Sequence, residues 1–257
     1  MNSKRIFIAY LTIIRKEIVR IFRIWSQTLL PSVITISLYY LIFGHFIGSQ
    51  LRNIGSFTYM QFIVPGLVMM AVITNSFSNV ISSFFSAKFQ RNLEELLVSP
   101  TPEWIIIAGY VTGGVIRGLI VGGIVLTISL LFTKIVIQSV AIVVLFIMLT
   151  AVLFSLAGLL NAIFAKSFDG ISIIPTFVLT PLTYLGGVFY SIKVLPPFWQ
   201  GVSQANPILY MVNGFRYGFL GISDVNIFTS FSILLISILI LLGISLYLFK
   251  RGYGLRN

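Results

Sequence analysis

Residues Tyr184–Gly221 read YLGGVFYSIKVLPPFWQGVSQANPILYMVNGFRYGFLG. The stretch lies between two long apolar runs. It is too greasy for an ordinary loop and too broken for a membrane span. Pro196-Pro197 stops a helix, and Asn206-Pro207 reads as a cap followed by a first-turn proline. From Pro207 a helix can run to Leu220, with Gly221 as its stop. At about 1.5 Å per residue it would be roughly 21 Å long, short of the ~30 Å hydrocarbon core. Ile208, Met211, Val212, Phe215 and Phe219 share one face, and Tyr210, Asn213, Arg216 and Tyr217 cluster on another. The expectation is a re-entrant helical hairpin over 193–221. The broken backbone at its turns must then be covered by protein or face water.

The chain outside this stretch reads as membrane protein. Of its 257 residues, 58% are hydrophobic and 9% charged, against about 25% charged in a soluble domain. Lipid must therefore be its solvent. A net charge of +11 on a soluble protein would suggest nucleic acid. Here the cations flank apolar runs, which points to membrane topology and to no nucleic-acid partner. The absence of cysteine removes any disulfide framework or thiolate metal site, and the single histidine, His45, cannot build a metal site either.

Hydropathy places six spans near 29–48, 60–85, 105–132, 137–164, 171–190 and 228–249. Pro31, Pro65, Pro175 and Pro181 are kink or entry points. Before the first span, residues 4–25 form a basic amphipathic helix, with Ile14, Ile18, Ile21, Phe22 and Trp25 on one face and Lys16, Arg20 and Arg23 on the other. If the N-terminus is cytoplasmic, twelve of the 17 Lys and Arg fall on the cytoplasmic side, namely Lys4, Arg5, Arg15, Lys16, Arg20, Arg23, Lys88, Arg91, Lys166, Lys250, Arg251 and Arg256. Arg52, Lys134, Lys193 and Arg216 fall outside, and Arg117 lies within a span. That bias predicts both termini inside.

Between the second and third spans, residues 86–104 are polar, with Leu93, Leu96 and Leu97 as a small apolar stripe. A short helix of this kind can dock in a groove on a soluble partner. Arg117, mid-span, must face protein or a wet cavity, and Gly113, Gly114, Gly118, Gly122 and Gly123 around it allow close helix approach. Thr74, Asn75, Ser76, Ser78, Asn79, Ser82 and Ser83 crowd the second span. Either they line a path or they bond between helices.

The run Asn206-Pro207-Ile208-Leu209-Tyr210, followed by Phe215-Arg216-Tyr217-Gly218 and Leu220-Gly221, resembles the C-terminal motif of ABC-2-type permeases, the membrane subunits of bacterial ABC exporters. Gly186–Tyr190 and Leu195-Pro196-Pro197 fit the same pattern. The resemblance implies one domain, 1–257, an all-α integral membrane protein of the type V exporter kind: an interface helix, six spans and a re-entrant hairpin before the last. It implies a homodimer in the bacterial cytoplasmic (inner) membrane, joined by two copies of a cytoplasmic ATPase that binds the ATP and Mg. By it, 86–104 is the coupling loop, and Lys88, Arg91, Glu94, Glu95, Leu96, Leu97, Arg20 and Arg23 meet the ATPase. Arg117 is a candidate path residue, with a structural ion pair or carbonyl cap as the alternative; Tyr184, Tyr210, Arg216 and Tyr217 are candidate path and exit residues, unless the hairpin only plugs the outer end of the bundle. The family's cargo classes include lipid-like compounds, drugs and polysaccharides.

The chain itself carries no G-x-x-x-x-G-K-[ST], so nucleotide chemistry would come from elsewhere. No nucleophile–base pair is evident at membrane depth, and no catalytic residue is assigned. An ion-driven carrier usually needs an acid at that depth. Glu17, Glu94, Glu95, Glu103, Asp169 and Asp224 all lie at or beyond span ends, which weakens that alternative. A membrane-embedded assembly factor without transport is the other alternative.

Overall fold

The computed structural model describes residues 3–48, 57–134 and 137–255, without the side chain of His45. Arg52 and Arg256, counted in the charge bias, fall outside that range. Helix α1 (Ser3–Arg23) precedes the first span, Trp25–Gly44, which is built of α2 (Trp25–Thr28), α3 (Leu30–Tyr39) and the start of a π-helical stretch, Tyr40–Ile47. The second span is α4 (Tyr59–Phe89). A short α5 (Asn92–Val98) leads to α6 (Glu103–Ser129) and α7 (Val140–Phe164), the third and fourth. The fifth span, Phe168–Leu185, comprises α8 (Phe168–Ile174), a π-helical turn and α9 (Thr180–Leu185). Then come α10 (Pro197–Gln204), α11 (Pro207–Leu220) and α12 (Ile227–Arg251), the sixth span.

Helix α4 is the pillar. The capping box of Thr58 and Gln61 starts it, and at 31 residues it is about 46 Å long, more than a bilayer's hydrocarbon core. Its flanks are α6 and α7. Small residues set those distances. A Cβ on Gly158 would stand 2.5 Å from the Phe77 carbonyl oxygen, and one on Gly118 would strike Ser76. Gly114 and Gly122 also sit at contacts, whereas Gly123 faces open space. Four of the five expected glycines thus bring helices together, as packing in lipid favours.

Pro31, Pro175 and Pro181 each stand in the first turn of a helical segment, as entry points, whereas Pro65 lies inside the unbroken α4. Pro175 opens a π-helical turn, Pro175–Leu179, in the fifth span, and Thr180 Oγ1 donates to the Pro175 carbonyl at 2.9 Å. The helix ends at Leu185, short of the expected 190, because Gly187 takes φ +72° and turns the chain. That φ is open to glycine and strained for other residues.

Helices α10 and α11 form the hairpin. Asn206 Oδ1 accepts the Ile208 amide at 3.0 Å, and its Nδ2 donates to the Leu182 carbonyl at 2.6 Å, so the cap also ties the hairpin to the fifth span. Gly221 ends α11 at φ +70°. The two-faced reading of α11 needs correction. Asn213 and Arg216 are as buried as the apolar face; Tyr210 and Tyr217 are half-buried. The reason is backbone satisfaction. Asn213 Oδ1 accepts the Asp224 amide at 2.9 Å, and Arg216 Nη2 donates to the Gly187 carbonyl at 2.7 Å. The polar side of α11 pairs the groups that the flanking turns leave open, as an apolar solvent demands.

Candidate functional site

At the end where α4 leaves the bundle toward α5, α1 lies across α4 and α6. Its inward face is Ile13, Glu17 and Ile21, while Phe22 and, just beyond the helix, Trp25 of the expected apolar face are exposed. Glu17 is fully buried, and its partners explain the rotation. Its carboxylate accepts from Ser83 Oγ, from Arg20 Nη2 at 3.1 Å and from Asn79 Nδ2 at 3.4 Å. Arg20 also reaches Asn79 Oδ1 at 2.7 Å, the Asn79 carbonyl at 3.0 Å and Ser82 Oγ at 3.3 Å. A buried acid needs a cation and filled lone pairs, so Glu17 turns inward and takes Arg20 with it. The close approach of α6 completes the seat: a Cβ on Gly113 would lie 2.7 Å from Glu17 Cβ. Tyr10 and Thr112 share a hydroxyl hydrogen bond at 2.9 Å on the same seam.

This cluster was not assigned from sequence. A carboxylate four positions from Ile13 and Ile21 on an amphipathic helix was the available signal. Arg20 was expected at a partner surface; most of its donors are instead used inside the protein.

The linker between α4 and α6 divides its expected contacts. Leu93 is buried, and Leu96 and Leu97 are half-buried against the core. Glu94, Glu95 and Arg91 are exposed, as is Arg23. Arg91 holds φ 62° at the bend before α5, an unusual conformation for a residue with a side chain. Lys88 does not face outward. It is buried, with Nζ donating to the carbonyls of Ile163 at 2.8 Å and Ala165 at 3.0 Å. It neutralises the C-terminal end of α7, which is the correction to its expected place on the docking surface. Beside this linker a cavity of about 600 Å³ lies between Ser99–Glu103 and Phe249–Gly252.

Deeper in the bundle, Arg117 Nη2 donates to the Thr28 carbonyl at 3.0 Å and to Asn75 Oδ1 at 3.1 Å. Asn75 Nδ2 in turn donates to Ser32 Oγ at 3.0 Å and to the Ala71 carbonyl at 3.0 Å. Arg117 therefore stitches the first, second and third spans at a proline-started helix entrance.

One strip of α4 is uncovered. Between Tyr59 and Lys88 the single exposed residue is Thr74. It borders a groove of about 190 Å³ with Ser32, Thr35, Tyr39 and Met70. At one end of the groove, Tyr39 and Tyr184 share a hydroxyl hydrogen bond at 2.8 Å. Phe43 and Phe189 pack with them: the Phe43 and Phe189 centroids are 4.7 Å apart, and Tyr184 stacks on Phe189 at 5.7 Å. Only Tyr184 of this aromatic group was singled out from sequence. The i, i+4 spacing of Tyr39 and Phe43 carried the rest of the signal. Of the other exit candidates, Tyr210 is turned back on its own hairpin, donating to the Gln204 carbonyl at 2.7 Å. Arg216 is buried under the Phe62 ring, 3.9 Å from its centroid.

Comparison with known proteins supplies the lineage. Residues 8–220 match the family model described as ABC-2 type transporter. The chain belongs to the ABC-2 type transporter family. It is 61% identical over 251 residues to the inner membrane transport permease YadH of Escherichia coli (strain K12), covering 98% of each chain. It is also 25% identical over 182 residues to nodulation protein J of Neorhizobium galegae, covering 69% of this chain and 68% of that one. With nodulation protein J of Rhizobium leguminosarum bv. viciae the identity is 23% over 211 residues, 81% of each. This ABC-2 chain is thus a multi-pass transport permease.

Proposed function

We propose that this permease is the membrane half of an exporter that a separate cytoplasmic ATPase drives by alternating access. The observation that carries the reading is the groove at Thr74: polar groups break the surface of an otherwise buried pillar, on the side where the first and fifth spans are weakly covered. Thr35, Thr176, Thr180 and Tyr184 are exposed along that side. A second copy seated there would enclose two grooves about a two-fold axis along the membrane normal. The groove's mixed lining suits amphipathic cargo, lipid-like ones included.

The ATPases would meet the exposed acids of α5, Glu94 and Glu95, together with Arg91 and Arg23. Because Leu93, Leu96 and Leu97 hold α5 against the bundle, a push on α5 moves α4. Glu17 and Arg20 extend the same rigid unit to α1 and α6. The lysine and arginine bias supports both termini in the cytoplasm, and the similarity to the Escherichia coli inner membrane transport permease supports the inner membrane. In this arrangement the Tyr39–Tyr184 group closes the far end of the groove. The test is Glu94→Lys with Glu95→Lys. Recovery of an ATPase with the tagged permease should fall sharply while the melting temperature stays unchanged. Undiminished recovery removes α5 from the contact.

A further inference from the structure

A cavity of about 500 Å³ lies under the turn that follows α11, bordered by Phe62, Ser191, Lys193, Asn213, Arg216 and Asp224. That volume is in the range of small-molecule sites. Two cations and one acid border it. The acid is already occupied: Asp224 Oδ1 accepts Ser191 Oγ at 2.7 Å, and Oδ2 accepts the Ile192 amide at 3.0 Å. Lys193 Nζ stands 4.0 Å from Oδ1, on a side chain that is 70% exposed. Arg216 is 1% exposed and uses Nη2 for the Gly187 and Val188 carbonyls. Among the described residues, its Nε and Nη1 have no hydrogen-bond partner. Buried guanidinium donors without an acceptor are costly, and neutral carbonyls do not balance the charge.

We propose that this cavity is a binding site for an anionic group, a phosphate or carboxylate, held by Arg216 and Lys193. The planar guanidinium offers paired N–H donors, the geometry that matches two oxygens of such a group. Lys193, on the exposed rim, gives the second charge and the entry side. Ser191 and Asp224, bonded to each other, fix the rim. The same chemistry is available from a phospholipid headgroup or from a free anion in solution. The site is independent of the transport reading, because binding needs no nucleotide and no ATPase.

The experiment uses the full chain in nanodiscs of phosphatidylcholine doped with phosphatidylglycerol. Native mass spectrometry counts the phosphatidylglycerol retained, and a melting curve with inorganic phosphate against chloride at equal ionic strength tests a free anion. Lys193→Gln should cut the affinity about tenfold, the loss of one charge-assisted contact, and Lys193→Glu should abolish binding. Lys134→Gln, an exposed cation that does not border the cavity, should change nothing. Arg216→Lys keeps the charge without the planar fork and should bind more weakly while staying folded by its melting curve. Retention of phosphatidylglycerol with no phosphate effect supports the site with a lipid headgroup as its source. A phosphate effect without lipid retention supports it with a soluble anion as its source. If neither probe binds, or if Lys193→Glu binds as the parent does, the proposal is overturned.

Discussion

The two ends of the bundle treat their buried charges differently. Beside α5, Glu17 and Arg20 face each other, with Asn79, Ser82 and Ser83 filling most of the remaining hydrogen-bond capacity. Near the turn after α11, Arg216 is as buried as Glu17 but makes no ion pair among the described residues, Asp224 bordering the same cavity without bonding to it. The first cluster joins three helices into one body. The second leaves capacity open, beside a seam of aromatic rings joined by one hydroxyl pair. The difference teaches how unevenly the bundle is cross-linked: a densely bonded cluster at one end, and at the other a seam held by few polar bonds. Under the proposed mechanism, the first is the end that is pushed and the second the end that parts.

The sharpest way to break this comparison is Glu17→Gln. Removing one partner of a buried pair should cost about 3 kcal/mol, measured as denaturant unfolding of the detergent-solubilised protein. A loss under about 0.5 kcal/mol, the scale of an ordinary surface substitution, would show that the cluster ties nothing together. Gly113→Ala attacks the same seat without touching charge. The added methyl meets Glu17 Cβ and Cγ, and overpacking of this kind costs roughly 1–3 kcal/mol. Cysteine cross-linking between α1 and α6 should slow in parallel. Asn75→Ala removes one of the two acceptors of Arg117 and should cost about 1–2 kcal/mol, with the first span loosening before the rest in hydrogen exchange. Tyr184→Phe is the smallest. It deletes one half-exposed hydroxyl contact and should change stability by under about 1 kcal/mol, yet speed opening of the Tyr39–Tyr184 seam, read as faster labelling of a cysteine placed at Thr74.

Much of this was legible from residue order. Six spans, the interface helix and the hairpin with its Asn206 cap and Gly221 stop follow from apolar run length and from helix-ending chemistry, which act locally. What was not legible depends on rotation and on distant partners. An amphipathic pattern groups Ile14, Ile18, Ile21 and Phe22 of α1 on one face, but the face that packs is Ile13, Glu17 and Ile21, turned inward by a carboxylate that finds Ser83, 66 positions away. Lys88 reads as a surface cation until the carbonyls of Ile163 and Ala165 arrive from α7. Arg216 reads as an exposed exit contact because its periodicity groups it with Tyr210 and Tyr217. The carbonyls that draw it inward belong to a turn 28 or 29 residues earlier. In each case a polar group followed an unpaired backbone or side-chain partner that hydropathy does not weigh.

The account rests on the permease having no energy source of its own. Its most direct test is cargo movement in vesicles holding the purified permease with and without the co-purified ATPase, as nucleotide is added or removed. Movement that needs both the second polypeptide and ATP is the predicted result. Sustained directional movement by the permease alone, with all nucleotide removed, would contradict it.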